Sequence, residues 1–169
     1  MRFSLAQEVS IIGAAIVAGA SYGLLTRQAL LSGVSPNPND FLSLFLLIIS
    51  TTALIDFLGS LPIIGLLFIG AASRSFGAVV GVVVLDHKTL PKFIGIISLS
   101  ITASLEITSL VVVGFAGFRL LEFIGYKGSE RKKGDLYAYL KLLGLALSIS
   151  FLSALFESAS ILGMLPFGL

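Results

Sequence analysis

Cysteine and tryptophan are both absent from this chain, and charged residues make up only 12% of its 169 positions. Without cysteine there can be no disulfide, no thiolate nucleophile and no thiolate metal site. A soluble domain of this size carries roughly 25% charged residues, so the polar groups here are too few to cover a surface facing water. Net charge is only +2, and the basic residues are scattered except for one cluster, so nothing suggests a nucleic-acid groove. The one histidine, His87, has no second ligand near it in sequence, so neither a metal nor another cofactor is expected. Methionine, asparagine and glutamine occur twice each. That scarcity of labile residues is typical of proteins from hot environments.

Hydrophobic residues, by contrast, make up 56% of the chain. A helix crossing a hydrocarbon core of roughly 30 Å needs about 20 mostly apolar residues, and the apolar stretches suffice for about five such spans. The expected fold is therefore all-α, a polytopic transmembrane helical bundle occupying residues 1–169 as one integral membrane domain. Arg2, the apolar run Ile11 to Val17 and Ala18-Gly19-Ala20 imitate a secretory signal, but Glu8 in the leading region fits one poorly. The segment is expected to remain as the first span.

That span runs from about Val9 to Leu31 and ends at Ser35-Pro36-Asn37-Pro38-Asn39-Asp40, where two prolines halt the helix. Asp40 is placed to cap the second span, Phe41 to Leu58, which meets the third, Pro62 to Leu85, in a tight antiparallel hairpin. From Pro91 to Phe123 the chain is apolar over a length that, as one straight helix, would measure roughly 50 Å. Within it Ser98, Ser100, Thr102, Ser104, Glu106 and Thr108 alternate with apolar residues. The excess length and this period-two polarity predict a fourth span broken near Thr102. Tyr126 to Lys141 reads as a hydrophilic loop bearing Lys127, Arg131, Lys132 and Lys133, and the fifth span follows from about Tyr139 to Leu165. The positive-inside rule puts that basic loop, and with it the amino terminus, in the cytoplasm of a multi-pass protein of the cell membrane.

Ionisable residues inside spans are the sharpest functional signal, since each costs at least about 2.5 to 3.5 kcal/mol to insert. Four qualify: Asp56, Arg74, Glu106 and Glu157. Ser150, Ser153, Glu157 and Ser160 fall on one face of the fifth span, and Thr102, Glu106 and Ser109 on one face of the fourth. Asp56, Arg74, Glu106, Glu157, Ser153 and Thr102 form the expected polar core. Glu106 and Glu157 are expected to share one site, with at least one carboxyl neutral and hydrogen-bonded to its neighbour, Thr102 or Ser153. Asp56 and Arg74 lie at unequal distances from the hairpin turn, so Arg74 is expected to meet a carboxylate or carbonyls from another span. Arg119 and Glu122, one turn apart, read as a snorkelling surface pair. Gly19 with Gly23 and Gly77 with Gly81 suit close helix packing within the bundle, with homo-oligomerisation as the other use of such spacing. No nucleophile–base pair or phosphate loop is recognisable, which argues against an enzyme.

The stretch from Ser104 through Glu106, Gly114 and Gly117 to Arg119-Leu120 resembles the signature of the stage II sporulation protein M family of bacterial and archaeal membrane proteins. There a Glu opens an apolar helix that runs through small residues to a Gly-x-Arg-Leu-like end. Phe151 to Ser158, with Glu157, is similar to that family's last span. Where the family commonly carries Pro-His-Gly ahead of its Glu, this chain has Ile101, Thr102 and Ala103. The resemblance implies a multispan protein without catalytic activity that works through partners.

Together these features lead to the expectation of a non-catalytic membrane scaffold or complex subunit, in contact with lipids and other membrane proteins. The alternative is a small transporter or channel that uses the intramembrane carboxyls. The topology is testable because there is no native cysteine. In intact cells a cysteine at His87 should react with an impermeant reagent and one at Ser129 should not; the reverse pattern would overturn the orientation.

Overall fold

A computed structural model of the chain describes residues 3–26, 40–85, 93–125 and 129–162. They form five helices: α1 (Leu5–Thr26), α2 (Phe41–Gly59), α3 (Ile64–Leu85), α4 (Phe93–Gly125) and α5 (Ser129–Ile161). No strand occurs among the described residues. Four segments, Leu5–Thr26, Phe41–Gly59, Ser100–Gly125 and Lys133–Ile161, are long and apolar enough to cross a membrane, as befits a multi-pass membrane protein. In α3 the shorter stretch Ile64–Ala78 is comparably apolar.

Helix α1 opens with a capping box. The Gln7 amide donates to Ser4 Oγ at 3.3 Å while the Ser4 amide donates to Gln7 Oε1 at 2.9 Å, so two amides that the first turn leaves unpaired find acceptors. At α2 the expected cap is only half realised. Asp40 occupies the N-cap position but makes no side-chain bond to the helix backbone, and its carboxylate instead accepts from Ser43 Oγ at 3.4 Å. The link to α3 is as tight as expected, with the Gly65 amide donating to Leu61 O at 2.9 Å. Ile63 sits in it at a φ of 64°, a conformation uncommon for a β-branched residue.

The chain order folds into two closely packed helix pairs, α1 with α3 and α4 with α5, and α2 contacts α3, α4 and α5. The α1–α3 pair is parallel, as its contacts rise together in number. A Cβ added at Gly19 would lie 2.0 Å from the Gly70 carbonyl oxygen, at Gly23 1.9 Å from that of Arg74, and at Gly77 1.9 Å from that of Ala20. Only residues without a Cβ allow these backbones to touch, so Gly19, Gly23 and Gly77 are consumed by packing inside the bundle. Helix α4 runs against α1, with Ile12 packed on Gly114. The start of α1, the α2–α3 turn, the end of α4 and the start of α5 therefore gather at one end.

Two expectations are corrected. The fourth span is not broken: α4 is continuous over 33 residues. Its alternating hydroxyls need no break, because Ser104 Oγ donates to Ser100 O and Thr108 Oγ1 to Ser104 O, each at 2.7 Å. Each hydroxyl is thus satisfied on its own helix. At about 1.5 Å per residue α4 and the equally long α5 exceed the hydrocarbon thickness and must tilt or project beyond it. The basic segment, too, is helical rather than a loop. Arg131, Lys132 and Lys133 lie in the first turns of α5, where no proline interrupts a run of good helix formers; Lys127 falls outside the described residues.

The glycine interface yields a paired test. Gly23→Ala should destabilise the purified protein by about 1–3 kcal/mol, the usual cost of overpacking. Gly13→Ala, whose Cβ would meet nothing within 4 Å, should be neutral or stabilising in the same thermal unfolding measurement.

Candidate functional site

Near the end of α2 the sequence Thr-Ala-Leu-Ile-Asp-Phe places one carboxyl in an otherwise apolar helix, and packing turns it inward: Asp56 is 2% exposed. Two serines from two other helices meet it. Ser109 Oγ of α4 donates to Asp56 Oδ1 at 2.9 Å, and Ser150 Oγ of α5 donates to Oδ2 at 2.6 Å. The two hydroxyl oxygens are 3.0 Å apart, and Ser109 Oγ is also 3.3 Å from the Ala146 carbonyl. One carboxyl therefore joins three helices.

The polar faces read from the sequence line the same region. Ser109, Ser150, Ser153, Ser160 and Thr102 are all buried, as helical spacing requires if both stripes face inward. Glu106, one turn from Ser109, is half-buried and lies within electrostatic reach of both Glu157 and Asp56. Three of the four expected intramembrane ionisable residues thus belong to one neighbourhood. No hydrogen bond among the described residues joins Glu106 and Glu157 to each other, to Thr102 or to Ser153, contrary to the bonded pair expected. Ser153 Oγ is fully buried and has no partner among the described residues. No group of three or more His, Cys, Asp and Glu there is gathered closely enough to hold a metal ion.

Arg74 stands apart from this column. Its guanidinium lies 4.7 Å from the centre of the Tyr22 ring on α1, a cation–π contact, and it forms no ion pair with Asp56. Arg74 thus meets another span through an aromatic face, a kind of contact that the expected carboxylate or carbonyl partner did not include.

A second polar cluster was not anticipated. Arg119 NH2 donates to both carboxylate oxygens of Glu8 on α1 at 2.7 Å, and Arg119 NH1 donates to Glu122 Oε2 at 2.5 Å. Glu8 is 0% and Glu122 3% exposed, so the pair read as a surface contact is the buried centre of an interhelical ion cluster. The signal was present in Glu8, an ionisable residue in an apolar span, which calls for a partner. Nearby, Ser60 Oγ and Tyr139 Oη lie 3.2 Å apart and tie the α2–α3 turn to α5. Beside this cluster a cavity of about 130 Å³ is lined by apolar groups, among them Phe3, Leu61, Ile63, Phe118 and Leu121.

No protein-family model, curated protein or solved structure matches the chain.

Removing Arg119 would leave two buried carboxylates facing each other. Arg119→Ala should therefore destabilise the protein by about 3–5 kcal/mol, while Lys133→Ala, at an exposed position, should leave thermal unfolding unchanged.

Proposed function

We propose that this chain is a non-catalytic subunit or scaffold of the cell membrane, with a cytoplasmic amino terminus, that binds a partner protein at the end where α5 begins. The observation that supports this reading is the apolar cavity between the α2–α3 turn, α1 and α4. Ile63, Ile64 and Leu67 project from that turn with 73%, 55% and 74% exposure, and the basic turns of α5 start at the same end. An apolar recess rimmed by exposed aliphatic side chains and flanked by charge suits a protein contact at the membrane surface. Asp56 and Arg119, meanwhile, are engaged in holding helices together. The resemblance to the stage II sporulation protein M family points the same way, toward a protein that acts through others.

A second reading, a small proton or cation transporter, is favoured by one observation: Glu106 stands near both Glu157 and Asp56, and neither Glu106 nor Glu157 has a cationic partner in a hydrogen bond or ion pair among the described residues.

A photo-crosslinking residue at Ile63 should give a discrete protein adduct in native membranes, and one at Leu25, at the opposite end of α1, should not. Absence of an adduct at Ile63, together with proton- or cation-driven flux in reconstituted vesicles that Glu106→Gln abolishes, would replace the scaffold by the transporter.

A further inference from the structure

The contacts around Asp56 contain more hydrogen-bonded oxygen pairs than there are hydrogens to fill them. Four close pairs occur: Ser150 with Asp56 at 2.6 Å, Ser109 with Asp56 at 2.9 Å, Ser109 with Ser150 at 3.0 Å, and Ser109 with the Ala146 carbonyl at 3.3 Å. Each serine hydroxyl has one hydrogen, and a carboxylate and a carbonyl have none. If both serines donate to an ionised Asp56, the two hydroxyl oxygens are left 3.0 Å apart with no hydrogen between them. All three groups are buried, where an unfilled contact between oxygens is costly.

A proton on Asp56 Oδ2 fills the three shorter contacts and leaves only the longest, 3.3 Å to the Ala146 carbonyl, whose oxygen faces the hydrogen-bond ladder of its own helix. The acid O–H donates to Ser150, Ser150 donates to Ser109, and Ser109 donates to Asp56 Oδ1, closing a ring in which each of the three side chains both gives and receives one hydrogen bond. We infer that the region between α2, α4 and α5 is a proton-binding site, with the proton held in the ring of Asp56, Ser109 and Ser150. Loading it forms one O–H bond at Oδ2 and breaks one in hydronium, with no change of oxidation state.

A second observation points to the same place. Ser153 is 1% exposed, and its hydroxyl has no partner among the described residues. It lies one turn from Ser150 and one turn from Glu157 on the face of α5 that lines the column, so a hydroxyl able to accept and pass on a hydrogen stands between the ring and the next carboxyl. Glu106 on α4 lies within electrostatic reach of Asp56, and Glu157 on α5 within that of Glu106. On the described part of α3 the one charged residue is Arg74, which turns to Tyr22 on α1, and α1 does not pack against α2. Among the described residues no guanidinium or ammonium makes an ion pair with Asp56.

The inference goes beyond the partner-binding reading and does not depend on it, since a retained proton serves a scaffold as a helix tie and a transporter as cargo. Infrared difference spectroscopy of the full chain in lipid at pH 7 to 8 tests it directly. The wild type should show a protonated carboxylic acid that shifts in heavy water, and Asp56→Asn should remove that signal while the Glu106→Gln, Glu157→Gln double variant keeps it. A native state that retains one proton more than the unfolded chain loses stability as pH rises, about tenfold in the folding equilibrium per pH unit. Asp56→Asn should flatten that slope and still fold, because an amide N–H donates where the acid O–H did. No carboxylic acid signal in the wild type, a signal indifferent to Asp56→Asn, or an Asp56→Asn protein that fails to fold would each overturn the ring.

Discussion

Inside the hydrocarbon a polar group has only the protein to bond with, and the consequences of that constraint run through the whole bundle. Asp56 draws hydroxyls from α4 and α5, and in doing so fixes the rotation of both helices about their axes. Had either turned by one residue, about 100°, its serine would have left the carboxyl unserved. Backbone groups are satisfied helix by helix, and most serine and threonine hydroxyls return to a carbonyl one turn back on their own helix. The few that cross between helices are therefore the ones that specify the fold.

Those crossing bonds are unevenly placed. Within the α1–α3 pair adhesion comes from glycines that bring backbones into contact, where dispersion acts over a long seam. Between the pairs the apolar contact is slighter, and polar ties take over: Arg119 to Glu8 joins α4 to α1, Asp56 joins α2 to α4 and α5, and Ser60 to Tyr139 joins α2 to α5. Lipid tails are as apolar as leucine, so a weakly packed seam has no solvent pressure to close it. Directional bonds supply the closure there.

Much of this was legible in the sequence. Composition dictates the all-helical membrane bundle, and the Ser150–Ser153–Glu157 and Thr102–Glu106–Ser109 spacings place both stripes on inward faces, because a 3.6-residue period depends on nothing beyond the helix itself. The Gly19–Gly23 spacing similarly identifies a packing seam. What could not be read depends on relations between elements. Asp56 meets the stripes only because α2 runs parallel to α4, and Glu8 meets Arg119 across more than a hundred residues of chain. The continuity of α4 was misread because alternating hydroxyls look like a disrupted helix until one sees that Ser104 and Thr108 bond to their own backbone. At the start of α5 a run of charges resembles a loop in composition, although nothing in Glu-Arg-Lys-Lys opposes a helix.

The two buried polar clusters differ in the partners they offer, and that difference separates their chemistry. Glu8 and Glu122 share a guanidinium, a permanent charge that remains through any change of pH in the range where proteins fold. The carboxylates there are held by Coulomb attraction as well as hydrogen bonds, and the Arg119 side chain, 23% exposed, keeps part of its charge near the membrane surface. That arrangement is fixed. Around Asp56 the partners are hydroxyls, which have dipoles but no net charge, and which donate or accept with equal ease. Such partners can reverse direction when a hydrogen arrives or leaves, at no cost in heavy-atom position. A bundle that places a guanidinium between its carboxylates at one end and reversible hydroxyl contacts deeper among the same helices has two kinds of polar tie, and the kind that can turn with a proton lies where α2, α4 and α5 meet.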